Sequence, residues 1–307
     1  MIRKISTENR EEWKKLRSKY IGGSDAACVV GMNSYKSAYA LWAEKTGKLP
    51  GFEGNLATEV GTYLEEFVAQ KFAEVTGKKV RRCNQSILND EYPWAIANID
   101  REIVGEDAGL EIKTTSELNL SKFKSGEYPG NYYCQCVHYM AMTGKKRWYL
   151  AVLIGNRDFR WFTIERDEEE IAALMEEEKK FWKCVEDNVP PAPDGSESSS
   201  RTLAALHPDS NGESVGIGSF EKELDRYIDL TAQVKELEEQ ISGIANRVKA
   251  HLGNAGKGDG ERYRVSWKTS ERKTFDHKKL LAEHPEIDGE GYYKTSRTRR
   301  FLVTQKG

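Results

Sequence analysis

Residues 100–113 constrain the fold of this chain more than any other stretch. Glycines at 105 and 109 favour a tight turn between two strands, and such a hairpin brings Asp100 back beside Glu111. Side chains alternate along a strand, so Glu111 and Lys113 share a face while Ile112 points into a core. Two neighbouring carboxylates repel each other unless a cation lies between them. The stretch therefore predicts a divalent metal site with oxygen ligands.

A third acid is expected from a helix that precedes this hairpin. Apolar residues at helical spacing predict a helix over residues 58–76, and Gly77 is expected to end it. Glu65 lies at the edge of the apolar arc, whereas Glu66 lies opposite it. We expect Glu65 to point toward the protein and Glu66 toward water. A solvated acid is the usual explanation for a helical glutamate, and this orientation is the reason to prefer Glu65.

Further upstream, Gly22 and Gly23 separate two predicted helices over residues 8–20 and 25–30. The second helix, with Gly23 or Ser24 as its cap, presents free backbone N–H groups that favour an anion such as a phosphate. A plain corner between two helices is the competing interpretation, and these residues alone favour it.

The composition sets limits on this interpretation. Five scattered cysteines are typical of reduced thiols, and the first five residues lack a signal-peptide core. No apolar run is long enough to cross a bilayer, so we expect a cytoplasmic protein without a membrane partner. The net charge of −2 does not indicate a nucleic-acid binder, so a nuclease would need a local basic surface.

The chain divides into three expected regions. Residues 1–189 form the main domain, and a segment rich in proline, glycine and serine over 190–218 is the expected linker. Residues 219–307 hold a long helix over 220–252 and a basic β region with strands near 263–268 and 292–303. The near-heptad spacing of the helix favours a coiled coil, while a two-helix hairpin or packing on the main domain are alternatives.

The acids and the lysine suit one chemistry. A nuclease must place a water molecule in line with a phosphorus and neutralise charge on the phosphoryl oxygens, and metal ions held by carboxylates do both. A nearby lysine can orient or deprotonate that water. An Asp followed by Glu-x-Lys is a weak signal alone, and the strand, turn and helix around it strengthen the prediction.

Several short segments in a fixed order carry a resemblance to a known family. They are residues 13–17 with 21–26, 61–65, 98–100, 109–113 and 133–135. In this order they resemble the YqaJ-type viral recombinase nucleases, relatives of phage lambda exonuclease in the PD-(D/E)XK superfamily. The resemblance covers roughly residues 9–187. Ile99 stands where the superfamily's nominal proline precedes the acid, a common variation.

The resemblance implies an α/β (α+β) fold with a restriction-endonuclease-like core, a central mixed sheet flanked by helices, followed by a C-terminal helical and β extension. It implies a role for each site residue. The metal ligands would be Glu65, Asp100, Glu111 and the backbone carbonyl of Ile112. Lys113 would position or activate the attacking water, and Gln135 would support that lysine and the scissile phosphate. Arg17 and Ser24 would bind the terminal 5′-phosphate.

The implied activity is a 5′→3′ exonuclease that degrades one strand of linear double-stranded DNA and leaves a 3′ overhang. Mg²⁺ would be the working metal and Mn²⁺ a substitute. The implied partners are DNA ends and a single-strand annealing protein of the RecT or Red-beta kind. A homotrimer is expected. The resemblance also implies that the chain is a phage or prophage protein. A structure- or end-specific endonuclease and a DNA-binding recombination mediator are the alternatives.

Overall fold

A five-stranded mixed sheet forms the centre of the first of two units, Met1–His207 and Pro208–Gly307. The computed structural model describes residues 1–124, 126–288 and 290–305. The strands are β1 (Ile2–Ile5), β2 (Ile21–Gly22), β3 (Val80–Arg82), β4 (Ser86–Asn89), β5 (Ala95–Ile96), β6 (Arg101–Ile103), β7 (Ala108–Thr115), β8 (Arg147–Ile154), β9 (Asp158–Glu165), β10 (Lys257–Asp259) and β11 (Arg264–Ser266). The helices are α1 (Arg10–Ser18), α2 (Gly23–Val29), α3 (Ala38–Lys45), α4 (Leu56–Thr76), α5 (Gly130–Thr143), α6 (Glu168–Glu186), α7 (Glu197–Leu206), α8 (Glu221–Leu252) and α9 (His277–Glu283).

The central sheet has the order β3-β6-β7-β8-β9. Strands β7 and β8 are parallel, and the other neighbouring pairs are antiparallel. The connection between the two parallel strands contains α5, as a parallel crossover requires. This arrangement confirms the expected class, a mixed sheet flanked by helices.

Alternate residues of β8 divide between two apolar clusters, one on each face of the sheet. Trp148 and Leu150 join a cluster that contains α5 and part of α2, whereas Tyr149 and Ala151 join a cluster that contains α4. A strand that is covered on both faces is an almost continuous apolar run, as this one is. The sheet is therefore clamped between helices, and β7 beside it is held rigidly.

Local signals in the sequence explain the bounds of α4. Asn55 accepts a hydrogen bond from the backbone N–H of Thr58, and the Thr58 hydroxyl accepts one from the N–H of Asn55, which is a capping box. Gly77 ends the helix with a φ of 71°, a left-handed conformation that favours glycine. The helix predicted over 58–76 is confirmed with two further residues at its start.

The expected linker over 190–218 differs from the structure, because α7 lies inside it. The side chains of Ser198, Ser199 and Thr202 are buried. The Ser196 hydroxyl caps the helix at the N–H of Ser199, and the Ser198 hydroxyl accepts a hydrogen bond from the N–H of Ser37. Serine favours helix caps as well as loops, and composition alone could not separate the two.

In the second unit, α8 is one continuous helix, not a helical hairpin. Strand β11 pairs with β10 in a local hairpin. The second strand expected over 292–303 is wrong, since no strand lies within that range, all of which the structure describes. Nowhere among the described residues is there a helix with the length and apolar character needed to span a membrane.

Candidate active site

The expected hairpin brings Asp100 next to the strand that carries Glu111 and Lys113. Strands β6 and β7 pair with Arg101 opposite Leu110, and Asp100 directly precedes β6. The backbone N–H of Ile112 donates to Oδ2 of Asp100 at 2.8 Å. This hydrogen bond fixes the aspartate against the middle of β7.

Glu111, Lys113 and Gln135 form a closed ring of polar contacts. The Lys113 ammonium lies 2.7 Å from Oε1 of Glu111 and donates to Oε1 of Gln135 at 2.8 Å. Gln135, from α5, donates through Nε2 to Oε1 of Glu111 at 2.7 Å. Glu111 is 2% exposed. Each of the three side chains is therefore held by the other two in one orientation.

The charges at this centre do not balance. Burial raises the pKa of Asp100 well above its ordinary value, and the Glu111 carboxylate raises it further. Burial lowers the pKa of Lys113, but the charge and hydrogen bond of Glu111 outweigh this effect, so the pKa of Lys113 is raised. Within the described chain, Oε2 of Glu111 is buried and has no hydrogen-bond partner. The centre can thus accept additional positive charge.

Glu65 is held by a cation that sequence reasoning missed. Arg101 is 3% exposed and lies 2.5 Å from Oε1 of Glu65 and 3.1 Å from Oε2 of Glu66. Arg82 binds Glu66 as well, at 2.8 Å. Glu65 is the less exposed of the two glutamates, as expected, but Glu66 is a salt-bridged residue as well as a solvent-facing one. Arg101 shares a face of β6 with the buried Ile103. This alternation in the sequence could have indicated that the Arg101 side chain is buried.

Arg17 and Ser24 lie together at the start of α2. The Arg17 guanidinium donates to the Ser24 hydroxyl and lies 5.2 Å from the centroid of the Trp13 ring. Beneath them, Asp25 and Lys45 form a buried ion pair at 2.9 Å. Burial raises the pKa of Asp25, but Lys45 and Arg17 together outweigh this effect and lower it to about 2. Sequence reasoning missed this pair, which fixes the start of α2.

Tyr139 contacts both Gln135 and the start of α2. Gln135 donates to the Tyr139 hydroxyl at 3.0 Å, and the two residues are one helical turn apart on α5. The Tyr139 ring lies so close to Gly23 that a Cβ added there would be 2.5 Å from Cε1. The four-residue spacing could have indicated that Tyr139 lies beside Gln135 on the helix. No local pattern in the sequence indicates its contact with Gly23.

A single cleft of about 840 Å³ is lined by all eight residues predicted for the site, which are Arg17, Ser24, Glu65, Asp100, Glu111, Ile112, Lys113 and Gln135. The structure therefore brings together residues that are up to 118 positions apart in the sequence, from Arg17 to Gln135. Among the described residues, no group of three or more His, Cys, Asp or Glu side chains is arranged as a metal cage. The role of the Ile112 carbonyl and that of each other site residue stay predictions.

Fold and site together define an α/β protein whose acidic centre lies on the middle strands of a mixed sheet. A family model described as the YqaJ-like viral recombinase domain matches residues 12–146. The uncharacterized protein YqaJ of Bacillus subtilis (strain 168) is 36% identical over 311 residues, covering 99% of this chain and 97% of that protein. The chain belongs to this family of YqaJ-like viral recombinase domains.

A solved structure shares the fold of about two thirds of this chain. The alkaline exonuclease LHK-Exo from Laribacter hongkongensis matches with a TM-score of 0.50 at 23% sequence identity. The match covers 64% of this chain and 100% of that chain. At this identity the similarity concerns the fold alone, and it agrees with the central mixed sheet flanked by helices. The rest of this chain has no counterpart in that structure.

Proposed function

We propose that this chain is a metal-dependent exonuclease that degrades one strand of linear double-stranded DNA in the 5′→3′ direction. The observation that carries the proposal is one cleft that is lined by both the acid–lysine–glutamine ring and the Arg17–Ser24 pair. Membership of a viral recombinase family and the fold shared with an alkaline exonuclease support it.

The residues at the centre fit a hard divalent cation. Asp100 and Glu111 supply carboxylate oxygens, and one buried oxygen of Glu111 has no partner in the described chain. Mg²⁺ keeps several water molecules and binds through one or two carboxylates, so a full protein cage is not required. We propose that Asp100, Glu111 and the Ile112 carbonyl hold Mg²⁺, with Mn²⁺ as a substitute. Glu65, on α4, would contribute to the metal site, and its carboxylate forms an ion pair with Arg101.

When bound, the metal would neutralise charge on the phosphoryl and leaving oxygens. Lys113 orients the attacking water in this proposal. An ammonium has three donors, and two of those on Lys113 point to Glu111 and Gln135. In this proposal the third would serve the water or a phosphoryl oxygen. Gln135 fixes the direction of that donor, because its amide bonds Lys113 and Glu111 at once.

The proposed polarity rests on Arg17 and Ser24, which line the same cleft. A guanidinium and a hydroxyl are suitable donors for the dianionic oxygens of a terminal phosphate. Asp25 and Lys45 hold the backbone around them, since Lys45 also donates to the Tyr20 carbonyl at 2.7 Å. A 5′-phosphate bound by Arg17 and Ser24 would leave a nearby phosphodiester for Asp100 and Glu111.

The test is digestion of linear duplex DNA labelled at either end, with and without a 5′-phosphate, in Mg²⁺. We expect short products from the 5′ end, faster attack on phosphorylated ends, and loss of that preference in Arg17→Ala. Closed circular duplex is the control and should stay intact. Cutting of the circle would favour a structure-specific endonuclease, and binding without any cutting would favour a recombination mediator.

The proposal also includes the DNA product and a partner protein. Removal of one strand leaves a 3′ overhang, and a single-strand annealing protein would take up that strand in recombination. Family membership supports this pairing. The homotrimer expected from the resemblance would enclose the DNA and favour processive degradation. Sedimentation of the wild-type chain measures that assembly directly.

A further inference from the structure

Arg101 is a buried arginine that the proposed chemistry does not use. Its Nη1 donates to Oε1 of Glu65 at 2.5 Å and to the backbone carbonyl of Asp100 at 2.7 Å. Its Nη2 donates to Oε2 of Glu66 at 3.1 Å. A buried charge is costly unless it is paired and hydrogen-bonded, and these three contacts satisfy that need. One guanidinium therefore contacts two of the residues that are proposed to hold the metal.

Glu65 lines the cleft in spite of this pairing. Gly61 lies one helical turn before it, and a Cβ added at Gly61 would be 3.2 Å from the hydroxyl of Thr114 on β7. This face of α4 thus packs closely on the strand that carries Glu111. Glu65 lines the same cleft as Asp100 and Glu111, and its side chain is 31% exposed. The Glu65 carboxylate is therefore accessible from the cleft.

Glu66 is a second carboxylate partner for Arg101. Arg82 lies opposite Arg101 in the pairing of β3 with β6, and it donates to Oε2 of Glu66 through Nε at 3.1 Å and through Nη2 at 2.8 Å. These contacts fix the Glu66 carboxylate beside the Arg101 guanidinium. Arg101 would therefore keep a charged partner if Glu65 turned toward the cleft.

A guanidinium and a metal ion bind the same carboxylate oxygens. The N–H groups of an arginine occupy the lone pairs that a metal ion needs, and its positive charge repels a cation close to it. The apparent affinity of a site falls with the fraction of molecules in which a required ligand is free. An arginine that holds a metal ligand therefore weakens metal binding at that site.

We propose that Arg101 competes with the metal ion for Glu65 and so lowers the affinity of the site for Mg²⁺. Before the ion binds, Arg101 holds Glu65, and afterwards it keeps Glu66 as its partner. Arg101 thus sets the Mg²⁺ concentration at which Glu65 joins Asp100 and Glu111. This competition rests on the proposed function, because it assumes the metal site described there.

Calorimetric titration of the full chain with Mg²⁺, without DNA, tests the competition. Arg101→Gln removes the competing charge, and we expect the dissociation constant for Mg²⁺ to fall about 10-fold. Arg81→Gln is the matched control, because Arg81 precedes Arg82 on β3 and pairs with Glu102 instead. It should leave the dissociation constant unchanged. A merely structural role for Arg101 predicts an unchanged or weaker affinity. That result, or an equal fall in Arg81→Gln, overturns the proposal.

Glu66→Gln should change the affinity in the opposite direction. Arg101 then loses its second carboxylate and binds Glu65 more firmly, so we expect the dissociation constant for Mg²⁺ to rise several-fold. Glu66 is 49% exposed, so this variant decides the matter if Arg101→Gln does not fold. Both effects should vanish when Glu65→Gln is also present, since the contested carboxylate is then gone. Effects that persist in that background overturn the proposal.

The same titration separates the competition from the proposed function. Asp100→Asn should weaken Mg²⁺ binding at the proposed site. If it does so while Arg101→Gln binds Mg²⁺ like the wild type, the competition alone is overturned. If Asp100→Asn leaves the binding unchanged, or if neither the wild type nor Arg101→Gln binds Mg²⁺, the metal site and the competition are overturned together.

Discussion

Two groups of enclosed charges in the first unit show opposite electrostatics. At the start of α2, Asp25 has two cations near it, Lys45 and Arg17, and its pKa falls to about 2. At the hairpin, Asp100 and Glu111 share Lys113, and burial together with the second acid raises the pKa of Asp100. The first group stabilises the fold. In the second, two acids share one cation, so an added cation would relieve the repulsion that raises the pKa of Asp100.

Removal of the shared cation should have the largest effect. In Lys113→Ala the attacking water loses its donor, and we expect the cleavage rate to fall about 10²- to 10⁴-fold. Binding of DNA should persist, because Arg17 and Ser24 are untouched. Single-turnover cleavage of linear duplex and fluorescence anisotropy measure the two properties. Lys122→Ala, on the exposed surface, is the control, and full activity in Lys113→Ala contradicts the proposed site.

Neutralising Asp25 should destabilise the first unit strongly. Asp25→Asn leaves the Lys45 ammonium buried without its counter-charge, at a cost of about 3–5 kcal/mol in the free energy of unfolding. Urea unfolding followed by tryptophan fluorescence reports mainly on this unit, which contains six of the seven tryptophans. The exposed ion pair of Asp90 is the comparison, and Asp90→Asn should cost far less, because water screens that pair.

The equivalent change at the hairpin should act in the opposite direction. Asp100→Asn removes one of two repelling charges and keeps an oxygen for the Ile112 N–H, so we expect stabilisation by about 1 kcal/mol. It should also reduce the increase in melting temperature that Mg²⁺ gives the wild type. A loss of stability as large as that of Asp25→Asn would mean that the two groups do not differ as described.

Acid should remove the contribution of Asp25 to stability. Its folded pKa of about 2 lies below the ordinary value of 3.8, so its charge stabilises the fold above pH 3.8. This contribution is lost as the pH falls through the folded value. The difference in unfolding free energy between wild type and Asp25→Asn should therefore be constant from pH 7 to about 5 and shrink below pH 4. Urea titrations at each pH measure it.

The sequence predicted the centre of the site because local rules govern it. Strand alternation places Glu111 and Lys113 together, and the glycines of the turn return the chain to Asp100. The long helices α4 and α8 followed from periodicity and from Gly77 at the end of α4. The resemblance to a known family, in addition, selected Arg17, Ser24 and Gln135 from among many polar residues.

Tertiary contacts account for what the sequence did not predict. Lys45 reaches Asp25 across 20 positions of sequence, and Arg101 reaches Glu65 across 36. No local pattern indicates which cation binds which acid in a chain with 47 basic and 49 acidic residues. The same limit applies to the strand expected over 292–303, where alternating residues could not show that β11 already had a nearer partner in β10.

The contact between Gly23 and Tyr139 has a consequence for how this site can change over generations. A side chain at position 23 would displace the ring, and the ring fixes Gln135 through its hydroxyl. The residues proposed to receive the DNA end and those proposed to cut it therefore share one wall of the cleft. A lineage that acquired a different preference for DNA ends could not remodel that pocket alone, and compensating substitutions near Gln135 would have to accompany the change.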